Sequence, residues 1–496
     1  MTFQVKEATI DSIHFAMKNR EVTCRELVGK YLERIESYDK KGPEINSIIT
    51  LNSKAIEEAD ALDQYFEQTG KFKGPLHGIP ILVKDQVETE GITTTFGSEA
   101  FKNYIPKEDA TAIQLLRKAG AIIIAKTLLP DFATSWFAFS SSGGETKNPY
   151  DLNRDPGGSS SGSAAGVAAN FGTVAIGEDT GGSIRLPASF NNVFGVRVTT
   201  GLISRNGMSP LVHFQDTAGP MTRSVKDAAI LLDTLVGYDS TDPFTAASLY
   251  AKDAGNYANG LNNNVIKGTR VGILREAFGS EDNPESAQVN EVVNKAIASM
   301  EEAGVTVIDP ITIPDLQKYN EETALYLTQS KHDIDNFIKQ KSDQTIDSIF
   351  QTNQYHPLLD LFKGIVGGPV NPEEDPNYYK QLNAQERFKR EIENVMAKHD
   401  LDAIVFPDVQ ILPPTKKELH EEKWTVLTFP TNTLISSQTG LPSISMPGGF
   451  TKEGLPVGVQ ILGKSFDEAT LLRIAYSYEQ HAKPRKAPHF EEQTVK

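Results

Sequence analysis

Short apolar runs recur along the chain with room for a helix between them. They stand at residues 78–85 (GIPILVKD), 121–126 (AIIIAK), 173–179 (TVAIGED), 270–274 (RVGIL), 305–308 (VTVI), 402–406 (DAIVF), 443–446 (SISM) and 456–462 (PVGVQIL). None alternates cleanly between apolar and polar, which predicts strands buried on both faces. Helix signals fall between them. Thr23 and Glu26 form a capping box ahead of Leu27, Tyr31, Leu32 and Ile35, and a second helix runs from near Ser53 to Gly70. Further helices are expected over 110–119, capped by Asp109 and closed by Gly120, and over 225–236, between Ser224 and Gly237. Another runs from Ser286 to Gly304, and a closing helix carries its own capping box at Ser465 and Glu468. The pattern predicts an α/β fold: a single large domain whose central mixed, mostly parallel sheet is covered by helices on both faces.

Residues 310–400 break the rhythm. They are rich in Gln, Lys, Asp, Tyr and helix formers and hold no convincing strand, so they read as a helical insertion walling a cleft. Helices over 1–70 then precede a core of about 71–309 and 401–485. No linker composition and no internal repeat divides the chain, so residues 1–496 are expected to form one unit.

Composition narrows the classes. With 39% hydrophobic and 23% charged residues the chain is an ordinary globular protein. A net charge of −16 argues against nucleic acid and anionic lipid as partners. The expected partner is a small-molecule substrate, with the oligomeric state open and a homodimer among the options. The single cysteine, Cys24, reads as a small apolar residue in a reducing compartment. The start of the chain lacks the basic and apolar regions of a signal peptide, and no run approaches the length of a membrane span, so a cytoplasmic location is expected. The nine histidines form no metal-binding spacing, so neither a metal nor a cofactor is expected.

Two serine-bearing loops concentrate the chemistry: Asp155 to Asn170 (DPGGSSSGSAAGVAAN) and Gly177 to Pro187 (GEDTGGSIRLP). The first turns into a helix of small residues followed by a strand, which places it inside the fold and not in a linker. It lacks the Lys-Ser or Lys-Thr of a phosphate-binding loop. Residues 158–162 match G-x-S-x-G, but the polar, proline-bearing segment before them cannot be the strand that a nucleophile elbow requires. Ser37-Tyr38-Asp39-Lys40 spells S-x-x-K at the polar end of a helix, without partner motifs. No motif supports a histidine base, which leaves a desolvated lysine to activate a serine; Lys84, ending an apolar strand, is placed for that, with a snorkelling surface lysine as the competing reading.

With these segments the chain resembles the amidase signature family of serine hydrolases. The likeness is carried by GIPILVKD, by DPGGSSSGSAAGVAANFGTVAIGEDTGGSIRLPASF, by GPMTRSVKDAAILL and by GLPSISMPGGF with GLPVGVQILG, and it runs from about residue 10 to 480. Carried over position by position, it implies a Ser-cis-Ser-Lys triad with Ser183 as nucleophile, Ser159 as bridging serine and Lys84 as base. It also implies a cis peptide after Gly158, and an amide substrate cleaved to acid and ammonia or amine through an acyl-enzyme. Gly181 and Gly182 let the backbone approach a substrate carbonyl, so that the N–H groups of Thr180, Gly181, Gly182 and Ser183 can form an oxyanion hole. Gly158, Ser160, Asp179 and Arg185 are read as supporting residues, the last two as an ion pair or backbone hydrogen bonds holding the loop rigid, with an ordinary surface pair as the competing reading.

The family includes free-standing amidases, hydrolases of carbamates and peptide amides, and the glutaminase subunit of a tRNA-dependent amidotransferase. Two departures argue for the free-standing type: no Tyr-Asp-Gly segment stands in the second half, and residues 424–438 contain no acid to hold a glutamine ammonium. Thr134, Ser135 and Trp136, leading into Phe137 and Phe139, are read as lining an acyl pocket, with packing in the core as the competing reading. Intact Lys84, Ser159 and Ser183 argue against a non-catalytic binding protein.

Overall fold

The structure is a computed structural model that describes residues 3–261 and 268–490. In chain order its strands are β1 (Ile48–Leu51), β2 (Pro80–Lys84), β3 (Ile122–Thr127), β4 (Phe139–Ser140), β5 (Gly144–Glu145), β6 (Val174–Asp179), β7 (Phe194–Arg197), β8 (Thr217–Thr222), β9 (Arg270–Leu274), β10 (Thr306–Ile311), β11 (Ala403–Pro407), β12 (Ser443–Phe450) and β13 (Pro456–Leu462). Strands β4 and β5 pair as a small ribbon, and the other eleven form one mixed sheet in the order β1-β3-β2-β6-β8-β7-β12-β13-β11-β9-β10.

Two parallel blocks flank an antiparallel middle. On one side β2 runs parallel to both β3 and β6; on the other β9 runs parallel to β10 and β11. Between them β6, β8, β7, β12, β13 and β11 pair antiparallel in turn. Successive side chains point to opposite faces of a sheet, so the burial of every residue of β2, β3 and β6 means that both faces are covered there. The apolar runs without alternation demanded this, and the α/β class with a large mixed sheet is borne out.

Helix ends show which local signals survive packing. Thr23 caps Cys24–Tyr38 with the expected box to Glu26, Gly70 closes Ala55–Thr69 in the left-handed conformation, and the Ser224 side chain accepts from the Asp227 amide at the start of Val225–Leu235. Asp109 does not cap Thr111–Lys118: its carboxylate takes the Glu90 amide at 2.7 Å and pairs with Arg117 Nε at 2.9 Å. Nor is there a box at Ser465. The last helix, Glu468–Ala482, begins at Glu468, whose buried carboxylate accepts from the amide and hydroxyl of Thr199. In both cases a tertiary donor outcompetes the local one. The helix expected from Ser286 starts earlier, at Pro284, because Asn283 accepts from the amides of Glu285 and Ser286.

Between β10 and β11 stand the helices Leu316–Glu322, Tyr326–Ile338, Ile346–Gln351, Asp360–Val366 and Tyr378–His399. Tyr326, Ile334, Ile338, Phe362 and neighbours from them share one apolar cluster with Phe96, Phe132, Trp136 and Phe137. No helix among the described residues is long and apolar enough to cross a membrane.

Candidate active site

Three segments of the first parallel block converge at the carboxyl ends of its strands, where α/β sheets place their ligand sites. Strand β2 ends in Lys84. Strand β6 ends in Asp179 and leads through Thr180 to Ile184 into the helix Arg185–Phe190. The third segment, 155–160, precedes the helix Ser161–Ala168, which packs on β2 and β6. That helix consists of small residues because it lies against backbone: a Cβ on Gly162 would stand 2.2 Å from the Ser47 carbonyl oxygen, and the Gly162 amide donates to the Leu128 carbonyl at 2.9 Å.

Lys84, Ser159 and Ser183 are all buried; the first two are in direct contact, and Ser183 is tied to the neighbouring serine loop through its carbonyl. Lys84 Nζ donates to Ser159 Oγ at 2.8 Å and to the Glu178 carbonyl at 3.1 Å, and lies 3.2 Å from Glu178 Oε2. Burial pushes the Lys84 ammonium below its ordinary value, while the Glu178 carboxylate opposes that shift. The peptide between Gly158 and Ser159 is cis. Ser160 ties the two loops together: its amide donates to the Ser183 carbonyl at 3.1 Å and its hydroxyl to the Glu178 carbonyl at 3.1 Å.

The loop 180–183 turns its carbonyls into the protein and leaves its amides free. Gln215 Nε2 donates to the Thr180 carbonyl and Thr433 Oγ1 to that of Gly181, whereas the N–H groups of Thr180, Gly181, Gly182 and Ser183 have no acceptor among the described residues. Gly182 has φ +141°, and a Cβ there would lie 2.0 Å from Thr433 Oγ1; at Gly181 it would lie 1.6 Å from the Tyr326 hydroxyl. Side chains from distant segments thus press on this loop so closely that only glycine fits.

Asp179 anchors the loop from behind. It takes both Nε and Nη2 of Arg185 at 3.0 Å and Nη1 of Arg197 at 2.8 Å. Burial alone would raise its carboxyl, but the two guanidiniums overcome this and hold it well below the usual carboxylate range. Arg185 reaches on to the Thr433 carbonyl at 2.8 Å, joining the loop to the segment before β12.

Sequence reasoning missed several neighbours. Glu178 stands beside Lys84, and the Thr180 hydroxyl bridges Glu178 Oε1 at 3.0 Å and Asp216 Oδ1 at 2.6 Å. Tyr326 and Thr433 crowd the glycines from the far half of the chain. Only Glu178 left a local signal, an acid within the glycine-serine run. Thr134, Ser135 and Trp136 are all buried; the Ser135 hydroxyl accepts from the Phe137 amide at 3.0 Å, Phe137 meets Phe429 edge to face, and the Ser135 carbonyl oxygen is 3.3 Å from where a Gly158 Cβ would stand. A cleft of about 600 Å³ opens between residues 205–214 and the helix Tyr326–Ile338, lined among others by Arg205, His213 and Asp333. Lys84, Ser159 and Ser183 do not line it, but Asp216 accepts the amides of Leu211 and Val212 and so links the two regions.

A large mixed sheet with buried lysine and serine at the ends of its strands is a framework for cleaving carbon–nitrogen bonds. The chain belongs to the amidase family, whose model matches residues 26–472, and is an enzyme acting on such bonds. The glutamyl-tRNA(Gln) amidotransferase A subunit of Caldanaerobacter subterraneus subsp. tengcongensis is 34% identical over 485 residues, which cover 95% of this chain and 96% of the relative. The structure of native peptide amidase from Stenotrophomonas maltophilia is 32% identical with a TM-score of 0.87, covering 98% of this chain and 99% of that one. That of the glutamyl-tRNA(Gln) amidotransferase A subunit from Thermotoga maritima is 25% identical with a TM-score of 0.75, covering 98% and 99%.

These relatives correct the expectation about partners. A net charge of −16 argues for a small molecule alone and against nucleic acid, yet the curated relatives are subunits of an amidotransferase named for glutamyl-tRNA(Gln). Net charge describes the whole surface, whereas a partner meets one patch of it, so the sum could not carry that exclusion.

Proposed function

We propose that the chain cleaves the C–N bond of a carboxylic amide through an acyl-enzyme on Ser183. The observation that carries this reading is the buried 2.8 Å contact from Lys84 Nζ to Ser159 Oγ, at the foot of a loop whose amides are unengaged. Neutral Lys84 takes the Ser159 hydroxyl proton as Ser159 takes that of Ser183, and the Ser183 oxygen attacks the carbonyl carbon. The amides of 180–183 receive the negative charge that develops on the carbonyl oxygen, each such donor contributing about 3 kcal/mol in the transition state. The relay then runs backward and protonates the departing nitrogen, and water enters along the same path to release the acid. Asp179 and Arg185 act here as structure, fixing the loop that presents Ser183.

The amide itself has two supported identities. Curated relatives 34–35% identical over nearly the whole chain favour glutamine, in a subunit that hands ammonia to a partner. Against that weight the missing Tyr-Asp-Gly segment and the acid-free stretch 424–438 are local absences. The closer overlay on peptide amidase favours the C-terminal amide of a peptide. Ammonia release by the purified chain from glutamine and from peptide amides, with S183A as control, tests both. Turnover of peptide amides far above that of glutamine selects the second identity, and the reverse the first. Equal release by S183A refutes the mechanism.

A further inference from the structure

Glu178 has no part in the relay just described, and it is one of the costliest residues to place where it stands. It is buried at the end of β6 with Oε2 3.2 Å from Lys84 Nζ. Its other oxygen accepts from the Thr180 hydroxyl at 3.0 Å, and the same hydroxyl lies 2.6 Å from Asp216 Oδ1. A hydroxyl carries one proton and can donate to only one of the two carboxylates at a time. The remaining charges packed around this point are accounted for. Asp179 is matched by Arg185 from the following helix and Arg197 from β7, Asp216 is held by the amides of Leu211 and Val212, and Tyr326 stands over the loop from its own helix. Lys84 therefore meets one unmatched carboxylate at contact distance, that of Glu178.

Resting on the reading that Lys84 is the base, we propose that Glu178 is a positioning residue that sets the pH at which Lys84 becomes competent. A carboxylate in contact with an ammonium favours the charged amine, whereas burial favours the neutral one. Glu178 thus opposes the desolvation that makes Lys84 a base and raises the pH at which Lys84 gives up its proton. Asp216 shares the Thr180 hydroxyl with Glu178 and accepts the amides of Leu211 and Val212, and burial together with the nearby Glu178 pushes its carboxyl well above the ordinary value. The Glu178 carboxylate makes no bond to the amides of 180–183 and reaches that loop only through the Thr180 hydroxyl, a bond that glutamine at 178 can also accept.

The test is the pH dependence of kcat/KM for wild type, E178Q and E178D, with S183A and K84A alongside. E178Q keeps the shape and removes the charge, so its acidic limb should lie lower by about one pH unit or more, with KM within about twofold of wild type. E178D keeps the charge and should restore the wild-type limb. An E178Q limb that coincides with wild type, or lies above it, overturns the proposal while inactive S183A and K84A leave the relay standing. Activity retained in S183A overturns the relay and the proposal together. If E178Q does not fold, as judged by its thermal transition, E178S removes the same charge with less bulk and is held to the same result.

Discussion

Lys84 Nζ donates to Ser159 Oγ across 2.8 Å, with both residues cut off from solvent. An amine in that position is a base only when neutral, and burial shifts it in that direction. In K84A, kcat/KM should fall by about 10²–10⁴-fold, the ordinary worth of a positioned general base, with KM little changed. In the wild type the rate should rise with pH as the lysine gives up its proton. A pH–rate profile of both proteins checks this, and an unchanged profile in K84A contradicts it.

Asp179 is the acid on which two arginines close. Its folded-state carboxyl lies well below the unfolded value, so it stabilises the fold at any pH above the unfolded value of about 4 and loses that contribution as pH falls through the folded one. The melting temperature should therefore fall as the solution is acidified below about pH 4. D179N leaves Arg185 and Arg197 buried without their counter-ion, which costs about 3–5 kcal/mol. Thermal unfolding of D179N at neutral pH should show that loss, together with lost activity from a loosened loop.

Gly182 tolerates no side chain. With φ +141° and a virtual Cβ 2.0 Å from Thr433 Oγ1, G182A combines backbone strain of about 1–3 kcal/mol with a clash that pushes the loop out of place. G182A should lose most of its kcat while T433G, which removes the hydroxyl at 2.0 Å and the Cβ at 2.5 Å from that virtual Cβ, recovers part of it in the double variant. Steady-state kinetics of the two single variants and the pair read this directly.

Asp408 shows the opposite pH behaviour from Asp179. It is buried beside Ser445, whose hydroxyl donates to it at 2.7 Å, and burial pushes its carboxyl up to about 8. An acid protonated in the fold and ionised in the unfolded chain weakens the fold progressively as pH rises from the unfolded value towards the folded one. D408N, neutral throughout, should match wild type near pH 4 and melt higher than it at pH 8, as a pH series of melting temperatures would show.

What could be read from the sequence divides along physical lines. Strand positions came through because burial on both faces writes itself as an unbroken apolar run, as in residues 78–83 and 456–462. Thr23, Ser224 and Gly70 were legible as helix ends since each completes a bond within a few residues. Asp109 and Ser465 misled, because Arg117 and the Glu90 amide claimed the first, and Thr199 drew Glu468 away from the second. At the candidate site the lysine and serine segments carry a long family motif, whereas Tyr326, Thr433 and Asp216 arrive from loops and helices whose approach no local pattern records. Glu178 was visible as a residue, but its contact with Lys84 depends on the register of β2 against β6.

The central claim is that Ser183 is the atom donor to the acyl-enzyme, activated by Lys84 through Ser159. Labelling the intact protein with a fluorophosphonate, digesting it and mapping the adduct by mass spectrometry tests this most directly. The account predicts a single adduct on Ser183 that forms faster as pH rises and at least about 10²-fold more slowly in K84A; an adduct on Ser160 or Ser159, or none on Ser183 in active protein, would contradict it.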